Sequence, residues 1–172
     1  MVNRHLWLVG MMGSGKSRIG PGLAERLHLR FVDTDEEISE RIGCSIAQFW
    51  GERGEEAFRD MEAATIARVA EEPAAVVAAG GGAVLRDGNV AAMRESGRVV
   101  WLTASPPTLV ARVGSGSDRP LLMEDATVVR LAEILESRAE LYADAAHVAV
   151  DTEDADPTDV INRIEAWWNA SS

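Results

Sequence analysis

Gly10-Met11-Met12-Gly13-Ser14-Gly15-Lys16-Ser17 spells G-x-x-x-x-G-K-S, the pattern of a phosphate-binding P-loop. Its flanks are those the motif needs. His5-Leu6-Trp7-Leu8-Val9 reads as a buried strand ahead of it, and a helix-length pattern begins near Lys16. Glycines let the loop curl until backbone N–H groups point inward at phosphate oxygens, and the helix N-terminus adds its positive dipole end. The pattern assigns Lys16 to the β- and γ-phosphates and the Ser17 hydroxyl to Mg²⁺. Lys16 is the only lysine of the chain; the other 16 basic residues are arginines. An ammonium is a compact point charge on a flexible stem, unlike the planar guanidinium.

Outward from this loop, strands and helices alternate. Helix 16–28 carries Pro21 between Gly20 and Gly22, where a missing N–H should kink it or loosen one turn. Arg30–Asp33 is a second strand. Residues 35–72 are helical in pattern, with a break at Gly43, Ser45 as an N-cap and a second break at Gly51–Gly54, and Pro73 stops the run. Ala75–Ala79 is a strand running into Gly80-Gly81-Gly82. A helix near 88–96 ends at Gly97, Val99–Leu102 is a strand, and Ser105-Pro106 opens a helix with a cap and a first-turn proline. Residues 113–123 are flexible in composition, 126–139 is helical, His147–Val150 is a fifth strand, and Asp156-Pro157 opens the last helix. Five short apolar strands alternating with helices predict a parallel sheet covered on both faces. Right-handed crossovers then gather the P-loop, Asp33/Asp35 and the glycine triplet on one sheet edge, where such folds bind ligands.

Composition bounds the rest. With 172 residues and 47% hydrophobic content, a single domain spanning 1–172 is expected. The net charge of −11 repels nucleic acid and anionic membranes, so any anion site must be locally basic. One cysteine, Cys44, excludes an internal disulfide and suits a cytoplasmic location. Neither a signal peptide nor an apolar run of about 18 residues is recognisable. His5, His28 and His147 show no metal-ligand spacing.

Asp33 and Asp35 divide naturally into a carboxylate for Mg²⁺ and one for a substrate hydroxyl, although either Asp33 or Thr34 would also cap the following helix. Gly80–Gly82 permits close backbone approach. Arg119, in Asp118-Arg119-Pro120, suits a lid that closes over phosphates.

Together these residues resemble shikimate kinase, from about residue 6 to about residue 164. The resemblance is carried by G-M-M-G-S-G-K-S, F-V-D-T-D-E-E-I, S-I-A-Q-F, G-E-E-A-F-R-D-M-E, G-G-G-A-V, R-P-L-L and R-A-E-L-Y. It implies an α/β P-loop fold like that of the nucleoside monophosphate kinases, three-layered, with a five-stranded parallel sheet of order 2-3-1-4-5. It implies phosphorylation of shikimate by ATP to shikimate 3-phosphate and ADP, with one Mg²⁺. Gly13, Ser14, Gly15, Lys16, Ser17, Arg18, Arg112 and the lid residue Arg119 would bind nucleotide, Arg112 and the segment around Pro157 flanking the adenine. Asp33 and Ser17 would hold the metal. Asp35 would bind the ring hydroxyls and act as base, while Arg59 and Arg138 would hold the carboxylate beside Gly81 and Gly82. Lys16, Asp35 and Arg119 would be catalytic. A substrate-binding helical region near 34–62, a lid near 113–123, a monomer, and no nucleic-acid or membrane partner complete the expectation. Glu140 departs from the family pattern and would add a negative charge near Arg138; Ala143-Asp144 and Pro21 also depart. The alternatives are another small-molecule kinase of this fold, such as a gluconate kinase, and a catalytically silent shikimate kinase-like binding protein.

Overall fold

The computed structural model describes residues 4–113 and 128–171. Arg119 and residues 114–123 of the expected lid lie outside them. Strand β1 (His5–Val9) occupies the middle of a five-stranded parallel sheet of order β2-β3-β1-β4-β5. The other strands are β2 (Arg30–Asp33), β3 (Ala75–Ala78), β4 (Gly97–Thr103) and β5 (Val148–Asp151). All five residues of β1 are buried, because helices cover both faces. Leu6 and Leu8 face the layer built from α1 (Lys16–Leu27) and α7 (Pro157–Ala170), packing with Ile19, Leu23, Val160 and Ile164. Trp7 and Val9 face the opposite layer. There α3 (Ile46–Glu71), α4 (Asp87–Ser96), α5 (Pro106–Val113) and α6 (Val128–Ala145) supply Ile66, Met93, Leu109, Leu131 and Tyr142. Neighbouring residues of one strand thus enter different cores, the period-two geometry of a pleated sheet.

The start and stop signals act locally. Asp33 caps α2 (Thr34–Ile42), accepting from Asp35 N–H at 3.0 Å, and Asp35, Glu36 and Glu37 complement the dipole of its first turn. Gly43 ends α2 in the left-handed region at φ 69°. Ser45 caps α3, and Asp156 caps α7 ahead of Pro157.

The second break, expected at Gly51–Gly54, falls at Gly54, whose φ of 83° and ψ of 171° turn one helical stretch into the next. Three other expectations are corrected. Helix α1 runs as one element through Pro21, an exposed position where the helix continues on both sides. Helix α6 does not end at 139 but reaches Ala145, because Leu131, Ile134, Arg138, Tyr142 and Ala145 keep helical spacing along its buried face. The Ser105 hydroxyl is engaged by side chains, donating to Glu153 Oε1 at 2.6 Å and lying 3.3 Å from Thr108 Oγ1.

At the N-terminal edge of the sheet, two histidines complete backbone pairing. His5 Nδ1 accepts from Ala75 N–H at 3.2 Å, and His147 Nδ1 accepts from Val99 N–H at 3.0 Å. Burial lowers both pKa values below the ordinary 6.5, with Arg30 adding to it at His5 and Arg94 and Arg98 at His147. A lowered pKa in the folded state means that neutral imidazole favours folding. That contribution is present above about pH 6.5 and disappears as pH falls through the folded values. Thermal melts should therefore shift to lower temperature between pH 7 and pH 5. The shift should shrink in His147→Gln, whose amide oxygen accepts the same bond without titrating. An equal shift in that variant would place the acid sensitivity elsewhere.

Candidate active site

The C-terminal ends of β1, β2 and β3 open into a cleft of about 390 Å³. At one end lies the P-loop. Gly13, at φ 81°, packs so closely on α5 that a Cβ there would sit 2.7 Å from Leu109 O, so the loop needs glycine twice over. Lys16 Nζ arches back over the loop, donating to Gly10 O at 2.6 Å and Met11 O at 3.0 Å. Ser17 Oγ donates to Asp33 Oδ2 at 2.6 Å, while Asp33 Oδ1 caps α2. One carboxylate thus caps α2 with one oxygen and meets the P-loop serine with the other. Ser17 Oγ and Asp33 Oδ2 form an adjacent pair of hard oxygen donors at the phosphate end. That fits Mg²⁺, which is bound through one or two protein oxygens, phosphate oxygens and waters. Among the described residues, no group of three or more His, Cys, Asp and Glu gathers as a metal cage.

The other end of the cleft is lined by Asp35, Arg59, Glu62, Arg138 and the glycine triplet. Arg59 and Arg138 are only 6% and 7% exposed, a rare burial for guanidinium groups. Arg59 donates to Glu62 at 2.9 Å and to Glu55 at 3.2 Å, and its guanidinium lies 5.3 Å from the ring centroids of Trp50 and of Phe58. Arg138 Nη1 donates to Gly81 O at 3.2 Å, and the fully buried Tyr142 hydroxyl donates to the same carbonyl. Burial pushes the Tyr142 phenol up to about 12. Burial also raises the Glu62 carboxyl, opposed by Arg59, reinforced by Asp35 and opposed by Arg138, so these four charged groups feel one another.

The glycine triplet makes room for the protein's own side chains. A Cβ at Gly80 would lie 2.7 Å from Glu62 Oε1 and 2.9 Å from Asp35 Oδ1. A Cβ at Gly82 would lie 2.1 Å from Arg59 Nη1. Gly81 alone of the three has only ordinary contacts at the built position, the nearest at 3.7 Å.

Thus the structure brings Gly13, Gly15, Lys16, Ser17, Arg18, Asp33, Asp35, Arg59, Gly81, Gly82, Arg112 and Arg138 onto one cleft. Ser14 is buried beneath the loop. Glu140 is exposed two residues from the buried Arg138, on another face of α6. Sequence reasoning assigned no role to Glu62, although its i+3 spacing from Arg59 places the two side by side on one helix face. Trp50, Tyr142 and Thr152 gave no comparable signal.

The family model for shikimate kinase matches residues 12–168. Shikimate kinase of Pseudomonas paraeruginosa (strain DSM 24068 / PA7) is 42% identical over 164 residues, covering 95% of this chain and 94% of that one. The Symbiobacterium thermophilum shikimate kinase is 45% identical over 162 residues, covering 93% of each. A solved shikimate kinase from Acinetobacter baumannii, in complex with shikimate, superposes with a TM-score of 0.95 at 30% identity, covering 98% of this chain and 94% of that one. These matches disfavour the gluconate-kinase and silent-protein alternatives. Motifs, sheet order and relatives agree, and the chain belongs to the shikimate kinase family.

Proposed function

We propose that the cleft binds ATP at its P-loop end and shikimate at its Asp35 end, and that the ATP-dependent phosphorylation of shikimate, the reaction of this family, runs across the gap between them. The observation that carries the assignment is the state of Arg138. It is buried and lines the cleft; its guanidinium donates to the Gly81 carbonyl and faces the Tyr142 hydroxyl, and it forms no ion pair within 4 Å among the described residues. A buried cation without a carboxylate partner is costly. A ligand carboxylate received between Arg138 and Arg59 supplies that partner, and a planar guanidinium binds it through two parallel bonds. This is how a chain of net charge −11 gathers two anionic ligands.

The roles follow from position. P-loop amides from Gly13 to Ser17 cradle the phosphates, with Arg18 and Arg112 at the outer, nucleotide end. Lys16 neutralises charge at the transferring phosphoryl group. Asp35 accepts the proton of the attacking ring hydroxyl. Gly81 and Gly82 shape the wall beside the substrate carboxylate, Gly82 by leaving room for Arg59. Ser17 and Asp33 hold Mg²⁺, which when bound neutralises phosphate charge. Arg119 is assigned to the phosphates from the composition of its stretch and from the family resemblance. Phosphoryl transfer requires mainly positioning and charge neutralisation, which this arrangement supplies. The chain is further proposed to act as a cytoplasmic monomer without nucleic-acid or membrane partners. In support, no described helix is long and apolar enough to cross a membrane.

Arg138→Lys tests the carboxylate cradle, because it keeps the charge and removes the fork. Loss of one charge-assisted bond costs about 1.5–3 kcal/mol. The KM for shikimate should rise roughly ten- to hundred-fold in steady-state assays, with the KM for ATP nearly unchanged. Shikimate methyl ester should bind wild type poorly and lose little further in the variant. A raised ATP KM with shikimate untouched would move Arg138 to the nucleotide side.

A further inference from the structure

With phosphates on the P-loop and the acceptor at the Asp35 end, the base of the nucleotide must leave the cleft past Arg18 and Arg112. The Arg112 guanidinium is held there by its edge. Nη1 donates to Thr152 Oγ1 at 2.9 Å and reaches Gly13 O at 3.5 Å. Nη2 donates to Thr152 O and, at 3.0 Å, to Glu153 O. The Thr152 hydroxyl lies 3.0 Å from Thr103 O and 3.4 Å from Ser14 O. The edge of the guanidinium is thus spent on the carbonyls of Gly13, Thr152 and Glu153 and on the Thr152 hydroxyl. The planar face of a guanidinium is the surface that suits an aromatic base.

What fixes that loop is the side chain of Glu153. Oε2 accepts from Ser105 N–H at 2.6 Å, and Oε1 accepts from the hydroxyls of Ser105 and Thr108, each at 2.6 Å. The carboxylate therefore grips the first turn of α5, while the Glu153 carbonyl grips Arg112 near the end of the same helix. Loop and helix are joined at two separated points. Three groups donate to the carboxylate, and these hydrogen bonds favour its ionised form and lower its pKa to about 2.

We propose that Glu153 is a positioning residue for the nucleotide, its carboxylate locking the β5–α7 loop to α5 so that Arg112 and Thr152 stand beside the P-loop before ATP arrives. Such preorganisation spares the ordering cost of binding. The inference rests on the reading of the Arg18/Arg112 end as the nucleotide end. Glu153→Gln keeps length but removes the negative charge that strengthens all three hydrogen bonds. In that variant the calorimetric Kd for ADP with Mg²⁺ and the KM for ATP should rise about five- to twenty-fold, less than the roughly ten- to hundred-fold of a charge-assisted hydrogen bond lost to the ligand itself, because Glu153 acts through Arg112. The KM for shikimate should stay within about two-fold. Thr108→Ala, which removes one donor to the same carboxylate, should move the same two parameters by less. Unchanged ADP and ATP parameters in Glu153→Gln would overturn the proposal. So would a joint rise of both KM values with a lowered melting temperature, the mark of a plain helix cap. Wild type assayed alongside separates the two failures. If it does not turn over shikimate, the cleft assignment itself is wrong. If it does, and Glu153→Gln binds ADP as tightly as wild type, the positioning role alone falls.

Discussion

Asp35→Asn should lower kcat roughly 10²–10⁴-fold, the usual span for loss of a general base. Asp35 stands in the first turn of α2, on the same cleft as Arg59 and Arg138, with its Oδ1 against the backbone of Gly80. Asparagine keeps the size and the position, since the cap of α2 comes from Asp33 rather than from Asp35. What is lost is negative charge and basicity. Single-turnover rates at saturating shikimate should fall with kcat, and ADP affinity by calorimetry should change little. An enzyme with normal kcat and only a raised shikimate KM would leave Asp35 as a ligand and deny it the base role.

Lys16→Met should cost on the order of 10²-fold or more in kcat, by comparison with removal of one preorganised transition-state donor. The chain has no second lysine to substitute for it. Its ammonium lies over the loop on the Gly10 and Met11 carbonyls, within reach of any phosphate the loop amides hold. Methionine preserves the length and apolar stem, so fold and shikimate binding should persist. A kcat near that of wild type would remove Lys16 from the reacting phosphate.

The sheet and the P-loop were legible because their signals are local. Leu6 to Val9 is a continuous apolar run, and Gly10 to Ser17 follows it without a gap. Asp33 was legible as a cap, and the structure puts that role on Oδ1 while Oδ2 accepts from Ser17. The corrections come from tertiary terms that outweigh local preference. Pro21 would stop an isolated helix, but α1 is clamped between β1–β3 and α7, and Gly20 lies so close under Phe31 that a Cβ would meet its ring at 2.1 Å. Glycines 80 and 82 read as space for a ligand, yet the space is taken by Glu62, Asp35 and Arg59, which arrive from 18 or more residues away. The Glu153 clamp joins residues 45 and 48 apart, and no short-range pattern announces it.

The most direct test of the central claim is ADP release by the full chain at millimolar Mg²⁺ and saturating ATP, measured with shikimate, with gluconate and with no acceptor. The expected result is ADP formation that depends on shikimate, with one phosphorylated shikimate per ADP and no stimulation by gluconate. ADP release at the same rate without shikimate, or stimulation by gluconate alone, would contradict the assignment of the Asp35–Arg59–Arg138 end of the cleft to shikimate.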